Sequence, residues 1–211
     1  MAIEGITGLK INYWAMVNLE GFKDLVDAVG GVTLNVRQSI PVGLPQDSFY
    51  SHIEPGVQKL DGFQTLWFAR ARYDSDDYSR MARQKCVMNA MLQQISPQTA
   101  VRNFQKIAKA SSAMISTNIP ASEVDRFIDL ALKARGQKIA TLSLVPPMIN
   151  TADPDIPLVR REVTEAIDRA EGDATAGTQK KHKSSSITGG SLGSLSEGYA
   201  ANESDDLGTA C

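Results

Sequence analysis

Residues Trp67 to Gln84 read WFARARYDSDDYSRMARQ, four arginines (Arg70, Arg72, Arg80, Arg83) around three aspartates (Asp74, Asp76, Asp77). Arg70 and Arg72 follow an apolar run, and in an extended segment a spacing of two sends both side chains off the same face, as one clamp. Asp77 or Ser79 is placed to cap a following helix, on which Arg80, Arg83 and Gln84 fall at i, i+3 and i+4 and share a face. Two cations on a first helical turn oppose the partial positive charge already there, so the arrangement asks for an anion. Asp76 and Asp77 supply part of it. One reading is a solvated strand, turn and helix laced with salt bridges. The other is a phosphate or diphosphate cradle, because guanidinium forks match phosphate oxygens and two converging pairs with Gln84 exceed what solubility needs.

Outward from that stretch, composition sets the frame. The 211 residues suffice for one domain of ordinary size and a tail, and 42% hydrophobic residues allow a sizeable core. A formal net charge of -2 gives no global attraction to nucleic acid, so the basic character is local. The two cysteines, Cys86 and Cys211, do not have metal-ligand spacing, and the sequence reading leaves them unpaired. No apolar run approaches a membrane span, and the first residues lack a signal-peptide pattern.

In chain order, Gly8 to Val17 alternates loosely and suits a strand, with Ile11, Tyr13, Ala15 and Val17 on one face. Asn18 is a cap for a helix over Leu19 to Val29, whose Phe22, Leu25, Val26 and Val29 keep helical spacing, and Gly30-Gly31 ends it. Val32, Leu34 and Val36 alternate with polar residues as a half-buried strand. Gln38 to Gly56 reads as a long loop or hairpin, a common place for a binding rim, and His52 within it as a surface residue. Leu60-Asp61-Gly62 opens a short helix through Leu66 and Trp67. The helix after Arg80 runs to Ile95 with Met88 and Met91 read as core.

Ser96-Pro97 starts a further helix with Val101, Phe104, Ile107 and Ala108 inward, and Pro120 to Glu123 another with Val124, Phe127, Ile128, Ala131 and Leu132 apolar. Ile139, Leu142, Leu144 and Val145 mark a strand, and Leu158 to Glu171 a final helix. From Gly172 to Cys211 the composition turns to Gly, Ser, Ala and Thr with a basic knot at Lys180, Lys181 and Lys183, the pattern of a flexible linker. The reading is therefore an α/β domain over residues 1–171, a central mixed sheet flanked by helices, followed by a linker over 172–211.

The segments NLEGFKDLVDAVGGV, GVQKLDG, LWFARAR and DSDDYSRMARQ, in that order, resemble the LytR-CpsA-Psr family of bacterial cell-wall enzymes, most closely its actinobacterial branch. The resemblance spans about Gly5 to Glu171. It implies a phosphotransferase on the extracytoplasmic face of the cell membrane, moving a glycopolymer such as arabinogalactan from polyprenyl diphosphate to a muramic acid hydroxyl of peptidoglycan. Carried over by position, Arg70, Arg72, Arg80 and Gln84 hold the diphosphate head group and Asp77 orients this arginine shell, with Arg83 counted beside Gln84 among the substrate-binding residues. The prenyl tail is expected in an apolar tunnel. Magnesium is the implied cofactor, with its ligands, a further arginine and a membrane-associating helix ahead of the stretch where this chain begins. No ligand for the metal is assigned here. The last residues, SDDLGTAC, resemble the start of a small accessory domain. A non-catalytic polyprenyl-phosphate-binding module is the alternative, while the balanced charge and lack of a recognition motif speak against nucleic acid as a partner.

Overall fold

The computed structural model describes residues 2–72, 77–94, 115–134, 139–146 and 148–172. In chain order these form α1 (Ala2–Thr7), β1 (Ala15–Val17), α2 (Leu19–Ala28), β2 (Val32–Val36), β3 (Ile40–Val42), β4 (Ser51–Ile53) and β5 (Gly56–Leu60). Then come α3 (Gly62–Arg70), α4 (Asp77–Gln94), β6 (Ile115–Thr117), a 3-10 turn (Ala121–Glu123), α5 (Val124–Ala134) and α6 (Ile156–Glu171).

The α/β class read from the sequence holds. The described strands pair antiparallel in three ribbons, β1 with β6, β2 with β5, and β3 with β4. Alternation in Val32–Val36 does what period two requires: Val32, Leu34 and Val36 are buried and Thr33 and Asn35 exposed. That buried face is the floor on which α3 and α4 rest, with Val26, Ile53, Phe68 and Val87 in the same cluster. Complete burial of side chains of this kind contributes about 1.5–3 kcal/mol each. The cluster is thus the main source of stability beneath the arginines.

Two glycines set the approach of α2 to this floor. Gly31, at φ +86, turns the chain into β2 so closely over β5 that a Cβ would lie 2.7 Å from the Leu60 carbonyl oxygen. Gly62 begins α3 directly against α2, where a Cβ would sit 2.2 Å from the Lys23 carbonyl oxygen. Its amide donates to Asp27 Oδ1 at 2.7 Å, and a capping box between Asp61 and Gln64 completes the start of the helix. The Leu-Asp-Gly signal therefore encodes a helix start and a helix crossing together.

At its far end, α4 is tied to the open edge of β2. Gln94 accepts from the Thr33 amide at 2.8 Å and donates to the Thr33 carbonyl at 2.6 Å, as a neighbouring strand would. A second, smaller cluster of Ile149, Val159 and Val163 packs around α6. Asp155 caps α6 through the Leu158 amide at 3.1 Å. Arg160 Nη2 donates to the Gly5 carbonyl at 2.6 Å and so joins α6 to α1.

The Asn18 cap, the glycine-ended helix and the β2 alternation appear as the sequence predicts. The Gln38–Gly56 segment is a hairpin, with Ile40 opposite Ile53. Other segments differ. The strand of residues 8–17 shrinks to Ala15–Val17, because its first residues follow the unforeseen α1 and its Gly8 turn at φ +76. Residues 139–145 form a single bridge at Ala140 and otherwise irregular chain, as Leu142 and Leu144 pack on α6 without a long strand partner. Met88 is 58% exposed, while Met91 packs against the core, so the methionine stripe is only partly interior. The expected helix after Ser96 and the linker over 172–211, apart from Gly172, lie outside the described residues.

Cys86, 3% exposed on α4, is disulfide-bonded, in contrast to the unpaired state read from sequence. The only other cysteine of the sequence, Cys211, lies outside the described residues.

Candidate anion site at the α3–α4 junction

The arginine stretch is a helix-to-helix junction. α3 runs on through Arg70, so Arg70 and Arg72 are not two residues of one extended strand. The apolar run before them carries helical contacts, which override the period-two reading. Trp67, half-buried on the core, holds Arg70, whose Cζ lies 5.0 Å from the centre of the indole. Ala71 closes α3 with its amide on the Trp67 carbonyl at 2.8 Å, and Arg72 then leaves the helix.

On the other side α4 starts at Asp77, earlier than predicted, and the arginines of its first two turns differ in burial. Arg80 points outward with its side chain 29% exposed, whereas Arg83 is 2% exposed. Asp77 bridges the outer pair, with Oδ1 3.2 Å from Arg72 Nε and Oδ2 3.0 Å from Arg80 Nη2. Arg80 Nε is shielded and has no hydrogen-bond partner among the described residues. Arg70 has no carboxylate partner among the described residues, and its contact is the indole. Asp74 and Asp76 lie outside the described residues.

Arg83 reaches inward to the end of α3, and Gln84, exposed beside it, bonds the same end. Arg83 Nε donates to the Phe68 carbonyl at 2.8 Å and its Nη2 to the Ala71 carbonyl. Gln84 Nε2 donates to the Ala69 carbonyl at 3.3 Å. The last carbonyls of a helix have no partner within it, and the negative end of its dipole favours a cation. Arg83 therefore sits where α3 needs positive charge. Of Arg80, Arg83 and Gln84, expected on one face, Arg83 alone is buried, clipping α4 to the end of α3, while Gln84 bonds that end from an exposed position and remains toward solvent with Arg70, Arg72 and the partly exposed Arg80.

Among the described residues no group of three or more His, Cys, Asp or Glu side chains is placed to hold a metal ion. The Asp77 carboxylate is engaged by two guanidinium groups. The magnesium implied by the resemblance thus finds no ligand set among them, and His52 pairs with Tyr50 at 3.4 Å. No described helix is long and apolar enough to cross a membrane.

In backbone the chain is an α/β fold similar to the crystal structure of TagV from Bacillus subtilis, with a TM-score of 0.58 and 22% identity over 80% of this chain and 67% of that one. The LytR_cpsA_psr family model matches residues 1–154, and the chain belongs to that family. It is 35% identical over 126 residues to Biofilm regulatory protein A of Streptococcus mutans, covering 58% of this chain and 31% of that protein. It is 31% identical over 126 residues to the polyisoprenyl-teichoic acid–peptidoglycan teichoic acid transferase TagU of Enterococcus faecalis, covering 59% of this chain and 40% of that protein. The chain thus spans well under half the length of these two relatives.

Proposed function

We propose that this chain carries the diphosphate-binding part of a transferase that moves a cell-wall glycopolymer from a polyprenyl diphosphate carrier to peptidoglycan. The observation that carries the reading is the outward group of Arg70, Arg72 and Arg80, ordered by Trp67 and Asp77, on a clip made by Arg83 and Gln84. The names of the relatives as teichoic acid transferases support the same class of reaction.

In the proposed reaction a peptidoglycan hydroxyl oxygen forms a bond to the sugar-linked phosphorus, and the bond from that phosphorus to the bridging oxygen breaks. Polyprenyl monophosphate leaves with the electron pair, and the hydroxyl proton passes to water. Charge grows on the departing phosphate, and fixed guanidinium groups stabilise it without reorganising. Arg70 and Arg80 are proposed to contact phosphate oxygens, and Arg72 to do so while sharing Asp77. Asp77 sets their geometry. Arg83 acts from beneath, keeping the end of α3 in place, and is not proposed to touch the phosphates, while exposed Gln84 is proposed to help hold them. Magnesium takes part in the proposal as the cation the family resemblance implies, with no ligand assigned.

An extracytoplasmic location belongs to the proposal, and the disulfide at Cys86 supports it, since such bonds persist mainly in oxidising compartments. The test is transfer of a labelled oligosaccharide from a synthetic polyprenyl diphosphate to purified peptidoglycan, with and without magnesium, by the complete protein. Covalently bound label that an Arg70→Glu, Arg80→Glu variant fails to deposit is the expected result. Lipid binding with no transfer under any cation would replace the enzyme by the non-catalytic polyprenyl-phosphate-binding module.

A further inference from the structure

Beside the arginines two exposed phenylalanine rings, which the diphosphate reading does not use, run up to half-buried Trp67. Phe49, on the β3–β4 hairpin, is 50% exposed and meets Phe63 at 5.5 Å between ring centres. Phe63 on α3 is 37% exposed and meets Trp67 at 6.4 Å, and Trp67 carries Arg70. The rings stand at 78° and 64° to one another, so their edges interlock. Other apolar side chains are exposed on this surface, and what sets Phe49 and Phe63 apart is that they meet each other and, through Trp67, reach Arg70.

The hairpin is built to present it. Gly43, at φ +85, gives room to Phe49, since a Cβ there would lie 2.8 Å from the phenyl ring. The Asp47 carboxylate folds back onto the Leu44 amide at 2.7 Å, and it and the Phe49 ring both border Gly43. An acceptor for hydroxyl groups thus borders an apolar surface that ends in a cation.

We propose that Phe49, Phe63 and Trp67 form the platform for the sugar ring joined to the phosphate that Arg70 meets. The inference rests on the diphosphate reading and adds the donor's sugar to it. A pyranose has an apolar face of C–H groups, which stacks on aromatic rings, and a rim of hydroxyls, which Asp47 is placed to accept. A sugar phosphate therefore matches the surface along its length, apolar face on the rings and anion on Arg70. A prenyl chain is the poorer match, because it needs enclosure from water and the rings lie open beside a carboxylate.

The probes are N-acetylglucosamine 1-phosphate, inorganic phosphate, geranyl phosphate and neutral chitotriose, titrated calorimetrically into the wild type, F63S and F63Y. The sugar phosphate is expected to bind about tenfold more tightly than inorganic phosphate, the scale of stacking one flat ring on an aromatic side chain. F63S should erase that gain and leave inorganic phosphate unchanged, and F63Y should restore it. Circular dichroism of each variant confirms the fold, and F49S repeats the test from the hairpin if F63S unfolds. A sugar phosphate no tighter than phosphate, or a gain found only with geranyl phosphate, overturns the platform while the cradle stands. Chitotriose binding that depends on Phe63, with no phosphate binding, supports the platform and overturns the cradle. Binding of none of the four overturns both.

Discussion

Replacing Arg83 by methionine tests the division of the arginines most sharply, because it removes a buried cation that the diphosphate does not need to touch. Arg83 donates to the Phe68 and Ala71 carbonyls from a position 2% exposed. Each hydrogen bond from a charged group contributes about 1.5–3 kcal/mol, and Arg83 makes two of them to buried carbonyls that methionine leaves unpaired. Methionine keeps most of the aliphatic contact, so a loss of about 3–5 kcal/mol is expected, a large share of the ~5–15 kcal/mol of an ordinary domain. With a urea slope of about 2 kcal/mol per molar, the midpoint should fall by roughly 1.5–2.5 M. Arg83→Lys should recover only part of this, since an ammonium cannot present the same fork to both carbonyls. Arg72→Met is the control: its side chain is 62% exposed and paired with Asp77, and it should cost about 1 kcal/mol or less. Urea unfolding followed by circular dichroism gives all three midpoints. An Arg83→Met midpoint within about 0.3 M of wild type, or an equal loss in Arg72→Met, would refute the clip.

Three further outcomes follow from the packing. Gly62→Ala should destabilise by about 1–3 kcal/mol, read by thermal unfolding, because its Cβ meets the Lys23 backbone and no side chain there can yield. Gln94→Ala should expose the β2 edge at a cost of about 1–2 kcal/mol, and hydrogen exchange at the Thr33 amide should speed up while that of Leu34 changes less. Glu4 is held below its ordinary pKa chiefly by the Ile11 amide, which donates to it at 3.0 Å. A depressed carboxylate stabilises above its unfolded pKa of about 4.3 and loses that contribution as pH falls through the folded value. Amide exchange at Ile11, corrected for intrinsic rate, should therefore rise below about pH 4 and stay flat from 5 to 7, and a flat profile across the whole range would show the bond to be absent.

Much of the fold was legible because local chemistry and packing agree. Asn18, the paired glycines after α2 and the alternation of Val32 to Val36 each have one low-energy answer, and the structure adopts it. The arginine stretch was legible in composition and not in geometry. ARAR has the alternation of a strand, yet Phe68 in the core and the capping box at Asp61 commit the segment to a helix, which separates Arg70 from Arg72. Arg83 read as one more cation of the cradle because a sequence shows which face a helix shares and not which neighbour it meets. The end of α3 is that neighbour. β6 and α1 were missed for a related reason, since short elements are fixed by distant partners such as Ala15 opposite Thr117 and Arg160 on Gly5. The Phe49 platform joins a hairpin to a helix across a gap in sequence that no periodicity spans.

The central claim, that Arg70, Arg72 and Arg80 form an anion cradle, is tested most directly by calorimetric titration of geranyl diphosphate into the wild type and an Arg70→Glu, Arg80→Glu variant, with circular dichroism on both. A saturable single-site isotherm that the variant loses while keeping its helical signal and unfolding midpoint is expected, with affinity falling as salt rises. Equal binding by a natively folded variant would place the diphosphate elsewhere and contradict the cradle.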